Sequence, residues 1–203
     1  MRIHLFRHGQ TNWNAERRIQ GQSESQLNEL GIQQAKELSA RIREQHFDVI
    51  YCSSSVRTRE TADHAFGDRA TPIHYLDTLR EIQMGAWEGE LYADIEARAP
   101  DSFRHFWHEP HLFNVDGAET FAELQSRALT ALDGFARDHS GQDVAVVSHG
   151  ALIKSVLCHA AGRELKDLWA PPSMHNCAHS LLERDAAGNY RILIYADQAF
   201  TAA

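Results

Sequence analysis

Cysteine is scarce in this chain, and its pattern excludes two common ways of stabilising a fold. The three cysteines, Cys52, Cys158 and Cys177, are odd in number and widely spaced, and none belongs to a CxxC pair. A disulfide framework needs an even set, and a structural zinc site needs closely spaced ligand pairs. The sequence therefore predicts free thiols in a reducing compartment, and we expect a cytoplasmic location.

Concentrated positive charge and long apolar runs are also missing. The formal net charge is −8, and the 20 lysines and arginines form no block. Because nucleic acids and anionic membranes are bound by a concentrated basic face, neither is expected as a partner. No segment stays apolar for the roughly 18 residues of a membrane helix, and the N-terminus lacks a signal sequence. A small anionic substrate remains compatible with the chain, because a local arginine cluster outweighs diffuse acidic charge over about 8 Å.

What the chain does contain is an alternation of short apolar runs with helical patterns. Its 203 residues, 43% of them hydrophobic, are enough for one domain with a substantial core. Apolar runs and turn residues indicate strands, and apolar positions three and four apart indicate helices. The predicted strands are 3–6, 47–52, 73–75, 144–147, 179–183 and 190–195, and the predicted helices are 28–45, one from 56, 119–139 and 151–161.

Strands separated by helices predict the α/β fold class. We expect a three-layer α/β/α sandwich with a mostly parallel central sheet, helices on both faces and an antiparallel edge strand. Residues 90–118 break the alternation and are rich in aromatic and histidine residues, as in SFRHFWHEPHLF over 102–113. We interpret 1–203 as a single domain in which residues 90–118, here called the insertion, form a lid at one end of the sheet.

Charged and polar residues follow three of the predicted strands. These segments are Arg7-His8-Gly9, Ser53 through Arg57, and Ser148-His149-Gly150. Ligands of an open α/β sheet bind beyond the carboxyl ends of its strands, so we expect two arginines and two histidines in one crevice. Guanidinium forks match phosphate oxygens, imidazoles can act as nucleophiles, and glycines let backbone N–H groups approach a ligand. The sequence therefore predicts a phosphate site.

Further motifs give the chain a resemblance to the histidine phosphatase superfamily, which includes the cofactor-dependent phosphoglycerate mutases. In the family order, these motifs are RHG at 7–9, WN at 13–14, QG at 20–21, LNELG at 27–31, SSSVRTRETA at 53–62, LRE at 79–81, WEG at 87–89 and SHG at 148–150. The resemblance covers nearly the whole chain. The sequences at 103–112 and 168–174 (LWAPPSM) further resemble bacterial broad-specificity phosphatases of this family.

The resemblance implies a metal-independent phosphomonoesterase that needs no cofactor and acts on small phosphate esters through a phosphohistidine on His8. Glu81 is expected to protonate the leaving group and then to activate water. The implied phosphate-binding residues are Arg7, Asn14, Gln20, Gly21, Arg57, His149 and Gly150. The expected pocket for the rest of the substrate contains Gln22, Trp107, Trp169 and Met174. We expect its apolar character to give broad specificity.

Other readings within the same superfamily stay open. One is a cofactor-dependent phosphoglycerate mutase, although the insertion offers only Arg98 and Arg104 to grip a second acidic group. Another is a narrow phosphatase acting on α-ribazole 5′-phosphate or phosphoserine. A third is a binding module for phosphorylated ligands without turnover, against which the presence of Glu81 argues. The oligomeric state is not predicted.

Two further chemistries are disfavoured by residue spacing. A cysteine phosphatase needs C-x5-R, whereas only four residues separate Cys52 from Arg57. His105, His108 and His111 recur at every third position, as metal ligands sometimes do, but no carboxylate pattern accompanies them and Pro110 interrupts a helix.

Overall fold

The structure, a computed structural model, describes residues 1–201. Within this range seven strands form one mixed sheet in the order β3-β2-β4-β1-β5-β6-β7. The strands are β1 Arg2–Arg7, β2 Val49–Ser53, β3 Ile73–Leu76, β4 Asp143–Ser148, β5 His179–Arg184, β6 Tyr190–Tyr195 and β7 Gln198–Ala199. Strands β1 to β4 pair in parallel, and β5 to β7 add on antiparallel, beginning beside β1.

Helices cover both faces of this sheet. The α-helices are α1 Asn12–Ala15, α2 Glu29–Arg41, α3 Val56–Phe66, α4 Tyr92–Arg98, α5 Pro100–His108, α6 Phe121–Asp138 and α7 Gly150–Ala160. Single 3₁₀ turns lie at Asp77–Leu79, Gly85–Trp87, Pro110–Leu112 and Leu165–Asp167. Helices α2 and α3 pack together, as do α6 and α7. This is the predicted three-layer α/β/α arrangement.

Alternation of side chains along the buried strands creates two separate cores. Leu5 and Val146 belong to the core that contains α6 and α7, whereas their neighbours Phe6 and Val147 belong to the core that contains α2 and α3. Successive residues of a strand point to opposite faces, so an apolar run such as VAVV feeds both layers. A strand of this kind can only lie between two layers of helices, which is why its continuous apolar run predicted a parallel sheet.

Several boundaries differ from the sequence prediction for identifiable reasons. Helix α2 ends at Arg41 instead of 45, because the chain turns there and Arg69 donates to the carbonyls of Ile42 and Gln45. The antiparallel part contains three strands instead of the two predicted at 179–183 and 190–195, since the two-residue β7 is too short to leave a pattern. The insertion is mostly helical, with α4 and α5 joined at Ala99.

The loop after β1 is held by backbone packing against α2. A Cβ atom on Gly31 would lie 2.0 Å from the carbonyl oxygen of Gln10, and one on Gly9 would lie 2.6 Å from the carbonyl oxygen of Gly31. Both distances are far below van der Waals contact, so neither position accepts a side chain without movement of backbone. The two glycines therefore let α2 fix the loop that carries His8.

Candidate active site

The loops after β1, β2 and β4 meet at one edge of the sheet, as predicted. Strand β4 lies between the other two, with Arg7 paired to Ser148 and Cys52 paired to Val147. The imidazole centroids of His8 and His149 are 5.4 Å apart. The structure thus brings together two histidines that are 141 positions apart in the chain.

His8 is buried, and one of its ring nitrogens is held by the backbone. Its Nδ1–H donates to the carbonyl of Gly9 at 2.7 Å, which leaves the lone pair on Nε2. Burial lowers the pKa of His8 well below its ordinary value, and the neighbouring Arg57 and Arg7 lower it further. A neutral imidazole is the form that can attack phosphorus.

His149 is fully buried, and only one of its ring nitrogens has a partner within residues 1–201. The Nε2 atom lies 2.8 Å from the Ser53 hydroxyl, while Nδ1 has no partner in that range. The Ser53 oxygen also accepts the backbone N–H of Ser55 at 3.4 Å and lies 3.5 Å from the Ser55 hydroxyl, and a Ser53 proton directed at Nε2 would leave the His149 proton on Nδ1. Burial, chiefly, and Arg57 lower the pKa of His149, so the ring is neutral.

Arg7 and Arg57 each keep at least one donor without a partner among the described residues. Arg57 is 0% exposed, and its terminal nitrogens donate to the carbonyls of Gly21 at 2.7 Å and Ser23 at 2.9 Å. Arg7 donates to the carbonyl of Met174. The Nε atoms of both arginines are buried and lack a partner among the described residues. Burial lowers the pKa of Arg57 to about 10 and also lowers that of Arg7, so both remain cations at neutral pH.

Glu81 is anchored at the N-terminus of α7. One carboxylate oxygen accepts the backbone N–H groups of Ile82 and Leu152, and the other accepts that of Ala151, each at 3.0 Å. The Glu81 carbonyl in turn accepts from Gln22 Nε2 and from the Arg127 guanidinium. The positive end of a helix favours an acidic group here, and these contacts fix the carboxyl group beside the arginines.

Arg7, Arg57 and Glu81 border a cavity of about 410 Å³, whereas His8 and His149 are not among its lining residues. Its polar lining comprises Arg7, Gln20, Gly21, Arg57, Glu81, Gly150, Lys154 and Ser173. Its apolar and aromatic lining comprises Ile19, Ile82, Met84, Tyr92, Phe106, Trp107, Ala151, Trp169 and Met174. The cavity therefore joins a cationic floor to an apolar wall, and the expected pocket residues Trp107, Trp169 and Met174 are on that wall.

Four of the predicted site residues, His8, His149, Asn14 and Gln22, are not among the residues that line this cavity. Thr11 is the N-cap residue of α1, and its backbone N–H donates to the Asn14 carboxamide oxygen. The Asn14 side chain is therefore used within the protein, in the capping box of α1. The Gln22 carboxamide donates to the Glu81 carbonyl, so Gln22 supports the segment of the acid instead of reaching into the pocket. Gln20 does line the cavity, with its carboxamide oxygen held by Thr11 and Ser25.

Three polar residues of the cavity escaped the sequence prediction. Tyr92 lies three positions after the WEG motif, and Ser173 lies in a segment without regular structure. Lys154 lies one helical turn after Gly150 and is 2% exposed. The i, i+4 spacing from Gly150 is the one signal that could have found Lys154, because such residues share a helix face.

Neither alternative chemistry has the geometry it requires. The Cys52 thiol is 0% exposed and donates to the Ser53 carbonyl, and burial raises its pKa well above the ordinary value, away from a reactive thiolate. His105 and His108 lie on α5 and His111 in the following turn. Over residues 1–201, no group of three or more His, Cys, Asp or Glu side chains is placed to hold a metal ion.

In the same range no helix is long and apolar enough to cross a membrane.

Comparison with known proteins agrees with this geometry. Residues 3–197 match the family model described as the histidine phosphatase superfamily, branch 1. Phosphoserine phosphatase 1 of Hydrogenobacter thermophilus is 30% identical over 93% of this chain and 89% of its own length. Adenosylcobalamin/alpha-ribazole phosphatase of Salmonella typhimurium is 30% identical over 83% of this chain and 84% of its own length.

The fold is shared with a solved bacterial structure. Bacillus stearothermophilus YhfR is 37% identical and superposes with a TM-score of 0.94 over 98% of both chains. The family model covers every strand from which the site is built. The chain therefore belongs to the histidine phosphatase superfamily.

Proposed function

We propose that this protein is a metal-independent phosphomonoesterase that hydrolyses small phosphate esters through a phosphohistidine on His8. One observation carries the proposal: three buried nitrogens without a partner within residues 1–201, Nε of Arg7, Nε of Arg57 and Nδ1 of His149, belong to residues that lie beside the neutral His8 imidazole. Buried donors are almost always paired, so this cluster is built for an anion. Two fixed guanidinium groups supply the positive charge that a metal ion supplies in other phosphotransferases.

The proposed reaction has two steps with one intermediate. The Nε2 lone pair of His8 forms a bond to phosphorus while the bond from phosphorus to the ester oxygen breaks, and Glu81 protonates the departing oxygen. Water then attacks phosphorus, Glu81 takes its proton, and the nitrogen–phosphorus bond breaks to release inorganic phosphate. Arg7, Arg57 and His149 stabilise the equatorial oxygens in both steps.

Broad specificity is the second part of the proposal. The leaving-group side of the cavity is mostly apolar and offers few directional contacts, which favours varied leaving groups over one. The two curated relatives above have similar identity to this chain but carry different substrate names, so sequence similarity does not fix the substrate. We further propose that the chain is one domain with the insertion as its lid, and that its three buried free cysteines suit the cytoplasm.

The decisive experiment traps the intermediate. Wild-type protein treated with a chelator is mixed with a labelled phosphate ester and quenched, and the label on protein is tested for the acid lability and base stability of a phosphohistidine. We expect labelling and turnover in the wild type and neither in His8→Ala. A His8→Ala variant that keeps more than about a tenth of the wild-type rate would refute covalent catalysis by this residue.

A substrate panel then distinguishes the remaining functions of the family. It contains p-nitrophenyl phosphate, glycerol phosphate, phosphoserine, α-ribazole 5′-phosphate and 3-phosphoglycerate with its bisphosphate primer. Comparable kcat/KM for several esters supports a generalist, and a preference above about a thousandfold for one ester identifies a narrow phosphatase. Exchange between 2- and 3-phosphoglycerate faster than phosphate release would identify a mutase.

A further inference from the structure

Lys154 is a buried cation on the cavity wall without an acidic partner. It is 2% exposed, and no carboxylate within residues 1–201 forms an ion pair with it. Its ammonium donates to the carbonyls of Ala170 at 2.6 Å and Pro172 at 3.2 Å and lies 5.2 Å from the ring centre of Tyr195. Burying an ammonium group costs free energy unless its donors are satisfied, so these two carbonyl contacts account for its placement.

Both carbonyls belong to one segment that forms part of the substrate pocket. Residues 169–174, here called the wall segment, contribute Trp169, Ser173 and Met174 to the cavity lining. No helix or strand includes them. A segment outside regular structure depends on side-chain contacts for its position, because it lacks a ladder of backbone hydrogen bonds.

Side chains from the floor and the insertion hold the two ends of the wall segment. At its start, Trp169 Nε1 donates to the Phe106 carbonyl on α5 at 2.6 Å. At its end, the Met174 carbonyl accepts from Arg7. Lys154 holds the middle and reaches it from α7, the helix whose N-terminus anchors Glu81. On the outer side, Arg163 donates to the Pro171 carbonyl at 3.3 Å.

We propose that Lys154 is a positioning residue whose ammonium holds the wall segment against α7 and thereby shapes the leaving-group side of the pocket. This inference rests on the proposed phosphatase function. Two of the three N–H donors of Lys154 are already used by carbonyls, which favours positioning over direct binding of a carboxylate on the substrate. The wall segment carries Trp169 and Met174, so its displacement weakens contacts to large apolar leaving groups most.

The charge state of Lys154 makes this role depend on pH. Burial, with a smaller contribution from Arg163, lowers the pKa of Lys154 to about 8. Burial raises the pKa of the Cys158 thiol and of the Tyr195 phenol, so these two facing groups stay neutral while Lys154 titrates. The ammonium is therefore present below about pH 8 and is lost above it, together with its strong, charge-assisted contacts. We expect KM for bulky esters to rise across this range.

The test compares Lys154→Met and Lys154→Arg with Lys166→Met. Lys166 is a suitable control because its side chain is 54% exposed and pairs with Glu164 on the surface. KM and kcat are measured at pH 7 and pH 9 for p-nitrophenyl phosphate, which has a bulky aromatic leaving group, and for glycerol phosphate, which has a small one. At pH 7 we expect Lys154→Met to raise KM for the aromatic ester about tenfold, with kcat within about threefold and glycerol phosphate much less affected. Lys154→Arg restores most of the loss.

Several outcomes would overturn the inference. KM values of Lys154→Met that match those of Lys166→Met would remove any role in the pocket. An equal loss on both esters would indicate a general structural role. If Lys154→Met does not fold, the pH dependence of the wild type and the Lys154→Arg variant decide: a flat KM between pH 7 and pH 9 for the aromatic ester refutes the role. A wild type without phosphohistidine or turnover refutes the proposed function itself, and this inference with it.

Discussion

Replacement of Ser53 by alanine tests whether the tautomer of His149 matters for catalysis. Ser53 and His149 are both 0% exposed, and the hydroxyl lies 2.8 Å from Nε2. We infer that in the wild type this contact keeps the proton on Nδ1, from which it can donate to a phosphoryl oxygen. Without the hydroxyl, Nε2 loses its donor and the two tautomers approach equal energy. The tautomer with a lone pair on Nδ1 then repels a phosphoryl oxygen instead of binding it.

The expected fall in kcat follows from the loss of one hydrogen bond to a charged transition state. Such a bond contributes about 1.5–3 kcal/mol, so its complete loss sets an upper limit of about 10- to 100-fold on the fall in kcat of Ser53→Ala, and two tautomers of equal energy set a lower limit of about twofold. Stability should fall by about 1–3 kcal/mol, because Nε2 is left buried without a partner. The effect on kcat should exceed that on KM, because the hydrogen bond from His149 to a phosphoryl oxygen strengthens as charge develops in the transition state.

Ser55→Ala is the matched control for this substitution. Ser55 is also 0% exposed, and its hydroxyl lies 3.5 Å from that of Ser53 without contacting His149. Rates of phosphohistidine formation are compared by rapid quench, and the tautomer of His149 is determined by nitrogen NMR in both variants. Equal rates in Ser53→Ala and Ser55→Ala, or a wild-type proton found on Nε2, would refute the reasoning.

Three further predictions follow from other contacts. Gly31→Ala places a Cβ atom 2.0 Å from the Gln10 carbonyl, so we expect kcat/KM to fall at least about tenfold and urea stability by about 1–3 kcal/mol; unchanged values for both would contradict the packing described. Burial lowers the pKa of His4 to about 4, so the unfolded chain binds a proton at a higher pH than the folded protein does. Lowering the pH from 7 to 5 should therefore reduce the free energy of unfolding of the wild type by about 2 kcal/mol more than that of His4→Phe, as measured by urea unfolding. Arg127→Met removes the contacts to the carbonyls of Arg80 and Glu81 and so releases the segment that contains Glu81. It should lower kcat for glycerol phosphate about 10- to 100-fold but that for p-nitrophenyl phosphate much less, because nitrophenolate leaves without protonation. Equal losses on both esters would show that Arg127 does not act through Glu81.

The floor of the site could be predicted from the sequence because parallel strands impose it. Strand β1 ends at Arg7 and is followed by His8, and strand β4 is followed by His149. In a fold of this class the carboxyl ends of neighbouring parallel strands lie side by side. The prediction needed only the order of strands and helices. It did not depend on any side-chain contact, which is why it survived errors in helix and strand boundaries of several residues.

The wall of the cavity was harder to predict because it is built from irregular segments. Gln22 and Asn14 lie in loops beside the site, and their sequence positions could not show that each carboxamide is used within the protein. Lys154 was missed for the opposite reason: it follows the apolar pattern of a buried helix, and its partners lie 16 and 18 residues away in a segment without periodicity. Periodicity reports which face of an element is buried but not which carbonyl a buried cation meets.

The same physical device recurs in the three irregular segments that border the site. Gly21 and Ser23 offer their carbonyls to Arg57, the segment at 78–81 offers three carbonyls to Arg127, and the wall segment offers two to Lys154. Carbonyl dipoles satisfy a buried cation without neutralising it, whereas a carboxylate partner would cancel its charge. A chain with a net charge of −8 can thereby keep cationic groups at the cavity, although Glu81 and Glu24 lie close enough to Arg57 to raise its pKa and Glu119 pairs with Arg127. Introducing a further carboxylate in direct contact with Arg57 should therefore weaken phosphate binding more than removing one of its carbonyl contacts.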